Sequence, residues 1–529
     1  MFWADELAAT LDGAQVVNDS KTPSGTVHVG SLRGVVLHDA ITRAIRERGL
    51  PVEFRYGVDD LDPMDSQALL TPDAVDRYMG VPLAQVPAPA GSSAASYARH
   101  FVGEQFMGTF AGLGITPTIY WMSDLYANGT MDPFIRTALD GAALIRDIYV
   151  RVSRVEKAPG WLPVSVICEA CGKIGTTLAS DWDGETVAYA CKPDYVDWAR
   201  GCGHAGRVRP AGGRAKLPFN VDWAAKWSLF GITVEGCGKD LATRGGSRDR
   251  SDAISRELFR REPPHNVQYE FLNIGGRKMS TSKGRGAAAH DMADLIPAEM
   301  LRFLFLRHQP RRALEFDPEG ETVPGQFDEF DRIAAAVAGK PFAGQLPADH
   351  EAIFAQSLVD PSADVATEAA RFRPAFRHLA LLVQVPGVDL EARMAAEKGA
   401  PLDAAERAIL AERARVARLW IERYAPERYR VSVRDALPPE AASLTEAQRI
   451  VLRDLGSLAA AERPTTGDAW QDLIFRAAQA RGVSSGDAFG AIYAAFLGRP
   501  NGPRAGWLLA GLDAGFVGER LRAAAEVQA

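Results

Sequence analysis

The chain is poor in cysteine and carries no excess of basic charge. It has five cysteines in 529 residues and a formal net charge of −7. A negative average charge argues against a general nucleic-acid binder, so any RNA contact must come from a local basic patch. No uninterrupted apolar run approaches the length of a membrane-spanning helix. The first residues also lack the pattern of a secretory signal, and these absences together favour a cytoplasmic protein without disulfides.

What the chain does contain is the composition of a large globular enzyme. Hydrophobic residues make up 47% of it and charged residues 24%, both ordinary values. The length predicts about two to four domains. Strand and helix signals alternate over residues 1–310, which predicts an α/β fold with a parallel, Rossmann-type sheet. From about residue 386 onward, alanine, leucine and arginine recur at helical spacing, which predicts an all-α domain.

A glycine-containing turn near the N-terminus is the first motif with chemical content. It reads Thr22-Pro23-Ser24-Gly25-Thr26-Val27-His28-Val29-Gly30-Ser31. A strand is predicted before it at 15–17 and a helix after it at 32–48. Such a turn lets a phosphate approach the backbone, and His28 is placed to donate a hydrogen bond to that phosphate. The alternative is an ordinary strand–turn–helix corner.

A second motif, past the middle of the chain, reads Lys278-Met279-Ser280-Thr281-Ser282-Lys283-Gly284. A strand is predicted before it at 267–274, followed by a hinge at Gly275-Gly276-Arg277. The ammonium groups of Lys278 and Lys283 are suited to offset phosphate charge as pyrophosphate leaves, and Mg²⁺ would stabilise further charge. If this segment is considered alone, the alternative is that it forms a solvated basic loop.

In this order, the two motifs resemble the paired ATP-binding signatures of class I aminoacyl-tRNA synthetases. The resemblance implies that ATP binds with Mg²⁺ between them, and that His28, Lys278 and Lys283 act in catalysis. It implies ATP-binding roles for Pro23, Ser24, Gly25, His28, Gly30, Ser31, Gly238, Lys239, Asp240, Lys278, Met279, Ser280 and Ser282.

Four of the five cysteines fall in one window, at Cys168, Cys171, Cys191 and Cys202. The first two form a Cys-x-x-Cys pair, and Cys202 lies in a Gly-Cys-Gly turn. Thiolates on two tight turns suit tetrahedral Zn²⁺, so we expect a structural zinc site. The wide spacing of the second pair leaves His204 open as the fourth ligand in place of Cys191. The alternative is a set of reduced structural thiols.

Further segments, spread over nearly the whole chain, resemble the sequence patterns of one family. They are residues 1–5, the run Asp59-Asp60-Leu61-Asp62-Pro63, and residues 80–89, 96–101, 126–129, 220–227, 235–240 and 497–504. In this order they resemble class I lysyl-tRNA synthetases. Some positions depart from what that family commonly has, namely Ser20, Ser31, Met64-Asp65, Phe219, Leu241 and Thr281. Several of these adjoin the amino-acid pocket in the family.

The resemblance to lysyl-tRNA synthetases implies a lysine pocket at the carboxyl end of the sheet. The ammonium of a lysine side chain needs a carboxylate or an aromatic face, and its stem needs an apolar wall. The residues expected to supply these are Thr22, Asp59, Asp60, Phe219 and Tyr269. The alternatives are that the aspartates cap the following helix and that the aromatic rings belong to the core.

The same resemblance implies a division into three domains. These are a catalytic domain at 1–310 with an insertion at about 100–215 that carries the cysteines, a connecting module at 311–385, and a helical anticodon-binding domain at 386–529. Within the last, Arg415, Arg418 and Trp420 are expected to contact tRNA, because arginine and aromatic side chains suit single-stranded RNA. Glutamates at helical spacing leave a solvated, salt-bridged helix as the alternative.

The expected reaction is the ATP-dependent ligation of L-lysine to tRNA(Lys) through a lysyl-adenylate, with release of AMP and pyrophosphate. Two other classes stay open, a small-molecule adenylyltransferase and a non-catalytic RNA-binding paralogue, as does specificity for a different amino acid. The expected partners are tRNA(Lys), L-lysine and ATP, with no membrane. The sequence does not determine the oligomeric state, although a monomer is favoured.

Overall fold

The computed structural model describes residues 1–24, 26–65, 72–274, 277–278, 295–341, 344–385, 388–430 and 432–527. These residues pack into two units. The catalytic unit comprises Met1–Asp294, Ala298–Phe316 and Leu346–Ala363. The helical unit comprises Leu295–Pro297, Asp317–Gln345 and Asp364–Ala529. Within the described residues, no helix combines the length and the apolar composition needed to cross a bilayer.

A parallel sheet forms the centre of the catalytic unit. Its strands are β1 (Gln15–Lys21), β2 (Val52–Val58) and β3 (Thr118–Trp121), in the order β1-β2-β3 with every pairing parallel. On the other side of β1, Val17 pairs in parallel with Val234, and Val234 with His265. The strand order therefore reverses beside β1. In open α/β sheets, ligands bind at the carboxyl ends of the strands where the order reverses.

The remaining strands are short. They are β4 (Ser165–Val166), β5 (Thr177–Ser180), β6 (Val187–Cys191), β7 (Ala205–Val208), β8 (Ala215–Lys216), β9 (Cys237–Gly238), β10 (Gln268–Tyr269), β11 (Leu272–Ile274), β12 (Arg277–Lys278) and β13 (Leu314–Phe316). Strands β5, β6 and β7 form an antiparallel meander, and β4 pairs antiparallel with β8. Because β3 belongs to the central sheet, the insertion predicted at about 100–215 must begin after Trp121 rather than at 100.

Helices surround the sheet and build the second unit. In chain order they are α1 (Trp3–Ala9), α2 (Gly30–Glu47), α3 (Pro72–Tyr78), α4 (Met122–Ala127), α5 (Asp132–Asp140), α6 (Ala142–Ser153), α7 (Phe219–Phe230), α8 (Ser247–Glu257), α9 (Ala298–Leu306), α10 (Thr322–Val337), α11 (His350–Ser357), α12 (Val365–Ala370), α13 (Phe376–Leu382), α14 (Leu390–Lys398), α15 (Ala404–Arg423), α16 (Glu446–Glu462), α17 (Gly467–Ala480), α18 (Ser485–Leu497), α19 (Ala505–Gly511) and α20 (Ala514–Glu526). Helix α2 follows β1 and is buried from Leu32 to Ile45.

The strand predicted at 267–274 is two strands. Strand β10 pairs in parallel with β9, and β11 pairs in parallel with β13, so the chain changes partner at Glu270 and Phe271. The buried guanidinium of Arg33 lies at this change of partner, where it donates to the carbonyl oxygens of Glu270 at 2.6 Å and Phe271 at 3.3 Å. The Phe271 carbonyl also accepts from Leu314 N of β13 at 3.1 Å.

The helical unit contains no strand among its described residues. Its helices begin at ordinary N-caps, for example Asp403 and Thr445, each of which forms a capping box. The predicted connecting module at 311–385 does not pack as a separate body. Residues 311–316 and 346–363 belong to the catalytic unit, and 317–341, 344–345 and 364–385 belong to the helical unit.

Candidate active site

The first motif lies at the carboxyl end of β1, where the strand order reverses. Strand β1 ends at Lys21 and α2 begins at Gly30, and Gly25 between them lies outside the described residues. The turn is held by its own backbone, since Ser24 N donates to Thr22 O at 2.9 Å and Ser31 N to His28 O at 3.0 Å. His28 is partly buried. A helix start aimed at this edge of the sheet is suited to phosphate.

A cavity of about 450 Å³ opens beside this turn. Its walls come from the turn, from the segment after β2 and from the start of α7; they are Thr22, Ser24, Asp62, Pro63, Asp65, Ser165, Ile174, Gly175, Lys216, Leu217, Pro218 and Phe219. Two of the residues predicted to bind lysine, Thr22 and Phe219, therefore meet in one cavity. Thr22 Oγ1 donates to Asp62 Oδ2 at 3.0 Å, and Lys216 Nζ lies 2.8 Å from Asp62 Oδ1.

The two predicted carboxylates, Asp59 and Asp60, have partners within the protein. Asp59 is 3% exposed and pairs with the buried ammonium of Lys226 at 2.7 Å. Burial alone would raise the pKa of Asp59, but Lys226 and Lys216 hold it below the usual value. Asp60 accepts from Ser123 N at 2.8 Å and Ser123 Oγ at 2.5 Å, at the start of α4. Burial raises the pKa of Asp60 to about 6.

Both aspartates thus have protein partners, and their contact with a bound lysine stays a prediction. The capping alternative is not met either, because Asp60 accepts from Ser123 in α4 and not from α3, the helix that follows it. The Asp59–Lys226 pair is buried and is not part of the lining of the cavity. Removing one member of such a buried pair costs about 3–5 kcal/mol, because the other charge is left without compensation.

Tyr269, at the end of β10, lies over α2 rather than in the wall of this cavity. A Cβ at Gly34 would stand 2.8 Å from the Tyr269 hydroxyl and 2.9 Å from Asp19 Oδ2, so glycine is required for this close approach. Burial raises the pKa of Asp19 to about 7 and, with the charge of Asp19, raises that of Tyr269 well above its usual value. Asp19 was not predicted as a site residue, although a charged residue within a buried strand is a usable sequence signal.

The segment Gly238–Asp240 continues β9 at the same edge of the sheet. Lys239 N donates to Tyr269 O at 2.9 Å, and Lys239 Nζ pairs with Glu270 Oε2 at 2.6 Å. Asp240 is exposed. The predicted ATP-binding role of these residues is therefore compatible with their position, and it stays a prediction.

Arg33 connects the two predicted ATP motifs. It lies three residues into α2, is 0% exposed, and donates to four carbonyl oxygens. Two of these belong to Glu270 and Phe271, which precede β11 and β12, and two belong to Pro310 and Arg312, at 2.9 and 2.8 Å. Lys278 itself is the last residue of β12 and is paired with Asn273 of β11. Met279, Ser280, Thr281, Ser282 and Lys283 lie outside the described residues.

The four cysteines of the predicted metal site come together. Their Sγ atoms all lie within 4.8 Å of one another, and the closest pairs are Cys168–Cys202 at 3.6 Å and Cys171–Cys191 at 3.7 Å. Two tight turns place them: Gly172 N donates to Cys168 O, and Gly203 N to Cys191 O, both at 2.8 Å. Both glycines have positive φ, 72° and 84°. Cys191 rather than His204 completes the set, because His204 O accepts from Cys191 N and its ring is not among the grouped ligand atoms.

The three residues predicted to contact tRNA differ in their exposure to solvent. Arg415 and Arg418 are exposed on α15, and Arg415 pairs with Glu412 at 2.8 Å. Trp420 is 0% exposed, and its Nε1 donates to Pro318 O at 2.9 Å. A ring without exposed surface is not available to stack on a base, so the prediction for Trp420 is corrected: this side chain belongs to the core of the helical unit.

The helical unit has a different site with partly exposed aromatic rings, those of Tyr429 and Trp507. A cavity of about 550 Å³ is lined by Asp328, Ala375, Arg377, His378, Leu381, Arg428, Tyr429, Gly502, Pro503, Arg504 and Trp507. The ring of His378 packs edge-on against Trp507 with centroids 4.4 Å apart, and neither ring nitrogen of His378 has a hydrogen-bond partner among the described residues. Nδ1 of His378 lies 3.2 Å from the Glu397 carboxylate. The sequence signal for this site was the matching segment at 497–504.

Comparison with known proteins agrees with this geometry. The family model described as tRNA synthetases class I (K) matches residues 1–354. The chain is 32% identical to a lysine–tRNA ligase of Methanosarcina barkeri, over 99% of this chain and 97% of that protein. It is also 32% identical to the lysine–tRNA ligases of Thermoplasma acidophilum and Archaeoglobus fulgidus, over 99% of this chain and 98% and 100% of theirs. The chain therefore belongs to the class I tRNA synthetases of the lysyl type.

Proposed function

We propose that this protein ligates L-lysine to tRNA(Lys) in two steps. Lysine carboxylate first attacks the α-phosphate of ATP and releases pyrophosphate, and the terminal adenosine of the tRNA then accepts the lysyl group and releases AMP. The observation that carries the proposal is the cavity beside the first motif. It brings a turn suited to phosphate together with Thr22 and Phe219, at the edge of a parallel sheet where ligands bind.

Positioning and charge stabilisation supply the catalysis in this proposal. His28 would donate to the phosphate, and Lys278 and Lys283 would offset charge as pyrophosphate departs. Mg²⁺ bound to ATP would supply additional charge stabilisation. No side chain is required as a nucleophile, because the lysine carboxylate is itself the attacking group.

Amino-acid-dependent pyrophosphate exchange tests the proposal. Each of the twenty amino acids should be tried with and without tRNA, because some class I synthetases activate their amino acid only when tRNA is bound. Lysine should support exchange and the other nineteen should not. Exchange with another amino acid alone would replace lysine in the proposal, and a complete lack of exchange in both settings would favour a non-catalytic RNA-binding protein.

We also propose that the four clustered cysteines hold one structural Zn²⁺. Four thiolates on two glycine turns match the ligand set of closed, tetrahedral zinc sites. Burial raises the pKa of Cys171 to about 12, so a bound cation is needed for this thiol to ionise at neutral pH. The ion would join the turn after β4 to the β6–β7 hairpin.

Metal analysis should find about one zinc per chain in protein purified without added metal. Cys168→Ser should lower that content and the melting temperature, because a ligand is lost. Cys237→Ser is the matched control, since Cys237 is buried outside the cluster. A Cys168→Ser protein with unchanged zinc content would exclude the site.

For tRNA, we propose that the helical unit contacts an unpaired part of the molecule through exposed arginines and through the cavity that holds His378 and Trp507. Arginine binds phosphate, and an indole with accessible surface, such as the partly exposed ring of Trp507, can stack on a base. Arg504 is exposed at this cavity. Arg415 and Arg418 remain part of the proposal, whereas Trp420 is withdrawn.

Arg504→Ala should raise the KM for tRNA in aminoacylation by about 5- to 30-fold and flatten its dependence on salt, because a phosphate contact is lost. Lysine-dependent pyrophosphate exchange should stay unchanged, provided that the wild-type protein exchanges pyrophosphate without tRNA. The matched control is Arg476→Ala, which removes an exposed arginine that pairs with Glu462. If Arg504→Ala and Arg476→Ala charge tRNA equally well, the cavity takes no part in tRNA binding.

A further inference from the structure

The insertion that carries the four cysteines also supplies one wall of the cavity beside the first motif. Strands β4 and β8 pair antiparallel with Ser165 opposite Lys216, and both of these residues line the cavity. Ile174 and Gly175, which come shortly after Cys171 in the chain, line it as well. The segment that holds the cysteines therefore leads directly to the edge of the proposed active site.

Lys216 makes the contact between this wall and the turn of the first motif. The residue is buried, with 5% of its surface exposed, and its Nζ lies 2.8 Å from Asp62 Oδ1. The other oxygen of that carboxylate, Oδ2, accepts from Thr22 Oγ1 at 3.0 Å. One carboxylate thus joins a lysine of the insertion to the first residue of the motif.

Further contacts fix Lys216 and the end of its strand. Its Nζ also lies 3.8 Å from Asp222 Oδ2 on α7, and the N–H of the next residue, Leu217, donates to the Tyr126 hydroxyl at 3.0 Å. Burial acts to lower the pKa of Lys216, but the carboxylates around it, those of Asp222 and Asp62 foremost, raise it above its usual value. Lys216 is therefore an ammonium at neutral pH, and the Asp62 carboxylate has a fixed counter-charge beside it.

We infer that Lys216 is a positioning residue for the proposed ligation and holds the Thr22 hydroxyl in place through Asp62, an inference that rests on the proposed function. A hydroxyl has one hydrogen, and that of Thr22 is donated to a carboxylate whose charge Lys216 compensates. Towards a ligand in the cavity, the Thr22 oxygen can then act only as an acceptor, and the ammonium groups of an amino acid are donors. Without Lys216, the Asp62 carboxylate would lose its counter-charge, and the orientation of the hydroxyl would no longer be fixed.

A double-mutant cycle with lysine binding as the readout tests the inference. The dissociation constants of lysine and of ATP would be measured by calorimetry for the wild-type protein, Lys216→Met, Thr22→Val and the double variant. Lys216→Met keeps an apolar chain of similar length but removes the charge, and it should weaken lysine binding by about tenfold while ATP binding stays nearly unchanged. In the Thr22→Val background the same substitution should have little further effect, because the hydroxyl that Lys216 positions is absent.

Two variants and one control complete the experiment. Lys216→Arg keeps the positive charge and should recover part of the lysine affinity. Asp62→Asn removes the other member of the ion pair, and its effect should also disappear in the Thr22→Val background, which preserves the test if Lys216→Met does not fold. Lys192→Met removes an exposed lysine of the same insertion and should change neither affinity.

Each outcome has a definite consequence. Additive losses of lysine affinity in the double variant would overturn the inference, because Lys216 would then affect binding independently of Thr22. Unchanged lysine affinity in Lys216→Met, or no lysine binding by the wild-type protein, would overturn it as well. Coupled losses in a protein without pyrophosphate exchange would support the positioning role while contradicting the proposed ligation.

Discussion

Lys278→Ala should lower lysine-dependent pyrophosphate exchange by about 10²- to 10³-fold while weakening ATP binding far less. Negative charge grows on the leaving pyrophosphate during attack, so an ammonium used at that stage affects the rate rather than the ground-state complex. A donor of this kind contributes about 2 to 4 kcal/mol. Lys278 occupies a defined position, the last residue of β12, which is paired with Asn273 of β11.

Lys340→Ala is the control for this measurement, because it removes an exposed lysine from the helical unit. It should leave both exchange and ATP binding unchanged. The assignment of Lys278 to the departing pyrophosphate would be abandoned if Lys278→Ala exchanged pyrophosphate at the wild-type rate. A loss confined to the KM for ATP would instead make Lys278 a ground-state ligand.

Local sequence patterns predicted the elements around the first motif closely. The strand predicted at 15–17 lies within β1, and the helix predicted at 32–48 corresponds to α2, at Gly30–Glu47. Both follow from short-range signals, namely apolar spacing and a glycine at position 49, whose φ is 77°. The parallel sheet was predicted from the alternation of such elements and is confirmed.

The sequence-based predictions failed where a residue bonds to a partner that lies far away along the chain. The single strand expected at 267–274 is divided because β10 pairs with β9 and β11 with β13, and at the change of partner the Glu270 carbonyl accepts from Arg33, 237 residues away. Asp60 caps α4 through Ser123, which is 63 residues away, and Asp59 pairs with Lys226, which is 167 residues away. The periodicity of a single sequence does not reveal such pairs. Asp59 and Asp60, at the end of a strand, were therefore predicted to bind the substrate lysine.

The cysteine cluster shows how tertiary structure resolves an ambiguity that spacing leaves open. The interval between Cys191 and Cys202 is too long for a compact knuckle in sequence, which kept His204 as an alternative. The antiparallel pairing of β6 with β7 folds this interval back on itself, and Cys191 N then donates to His204 O at 2.8 Å. The β6–β7 hairpin thus brings Cys191 and Cys202 together next to Cys168 and Cys171.

Exposure could not be predicted for the helical unit. Arginines recur along α15 and Trp420 lies among them, and this composition suggested an RNA surface. In the structure Trp420 and Arg413 face inward, where Arg413 pairs with Asp331 at 2.5 Å. The side of the helix that becomes buried depends on α10 and α13, which the composition of α15 does not encode.

The second large effect is expected from Arg33→Met. The carbonyl oxygens of Glu270 and Arg312 would lose their donor, whereas those of Phe271 and Pro310 would keep backbone donors, Leu314 N at 3.1 Å and Glu270 N at 3.0 Å. Burial lowers the pKa of Arg33 to about 10, so the guanidinium is still charged at neutral pH and its hydrogen bonds are charge-assisted. Leaving the acceptors of Glu270 and Arg312 unsatisfied, and losing the charge-assisted bonds to the other two carbonyls, should lower the free energy of unfolding by about 3–5 kcal/mol, measured by denaturant titration.

The activity of Arg33→Met should fall by more than the loss of folded protein alone would cause. The reason is that Arg33 fixes the strands that lead to Lys278 relative to the turn that carries His28. Exchange should therefore be measured at a temperature where both proteins are fully folded, and the expected loss is in kcat, with the KM for lysine nearly unchanged. Arg46→Met, an exposed arginine on the same helix, is the matched control and should change neither quantity. If folded Arg33→Met protein keeps the wild-type kcat, Arg33 stabilises the fold without positioning the second motif, and the two motifs are brought together by other contacts.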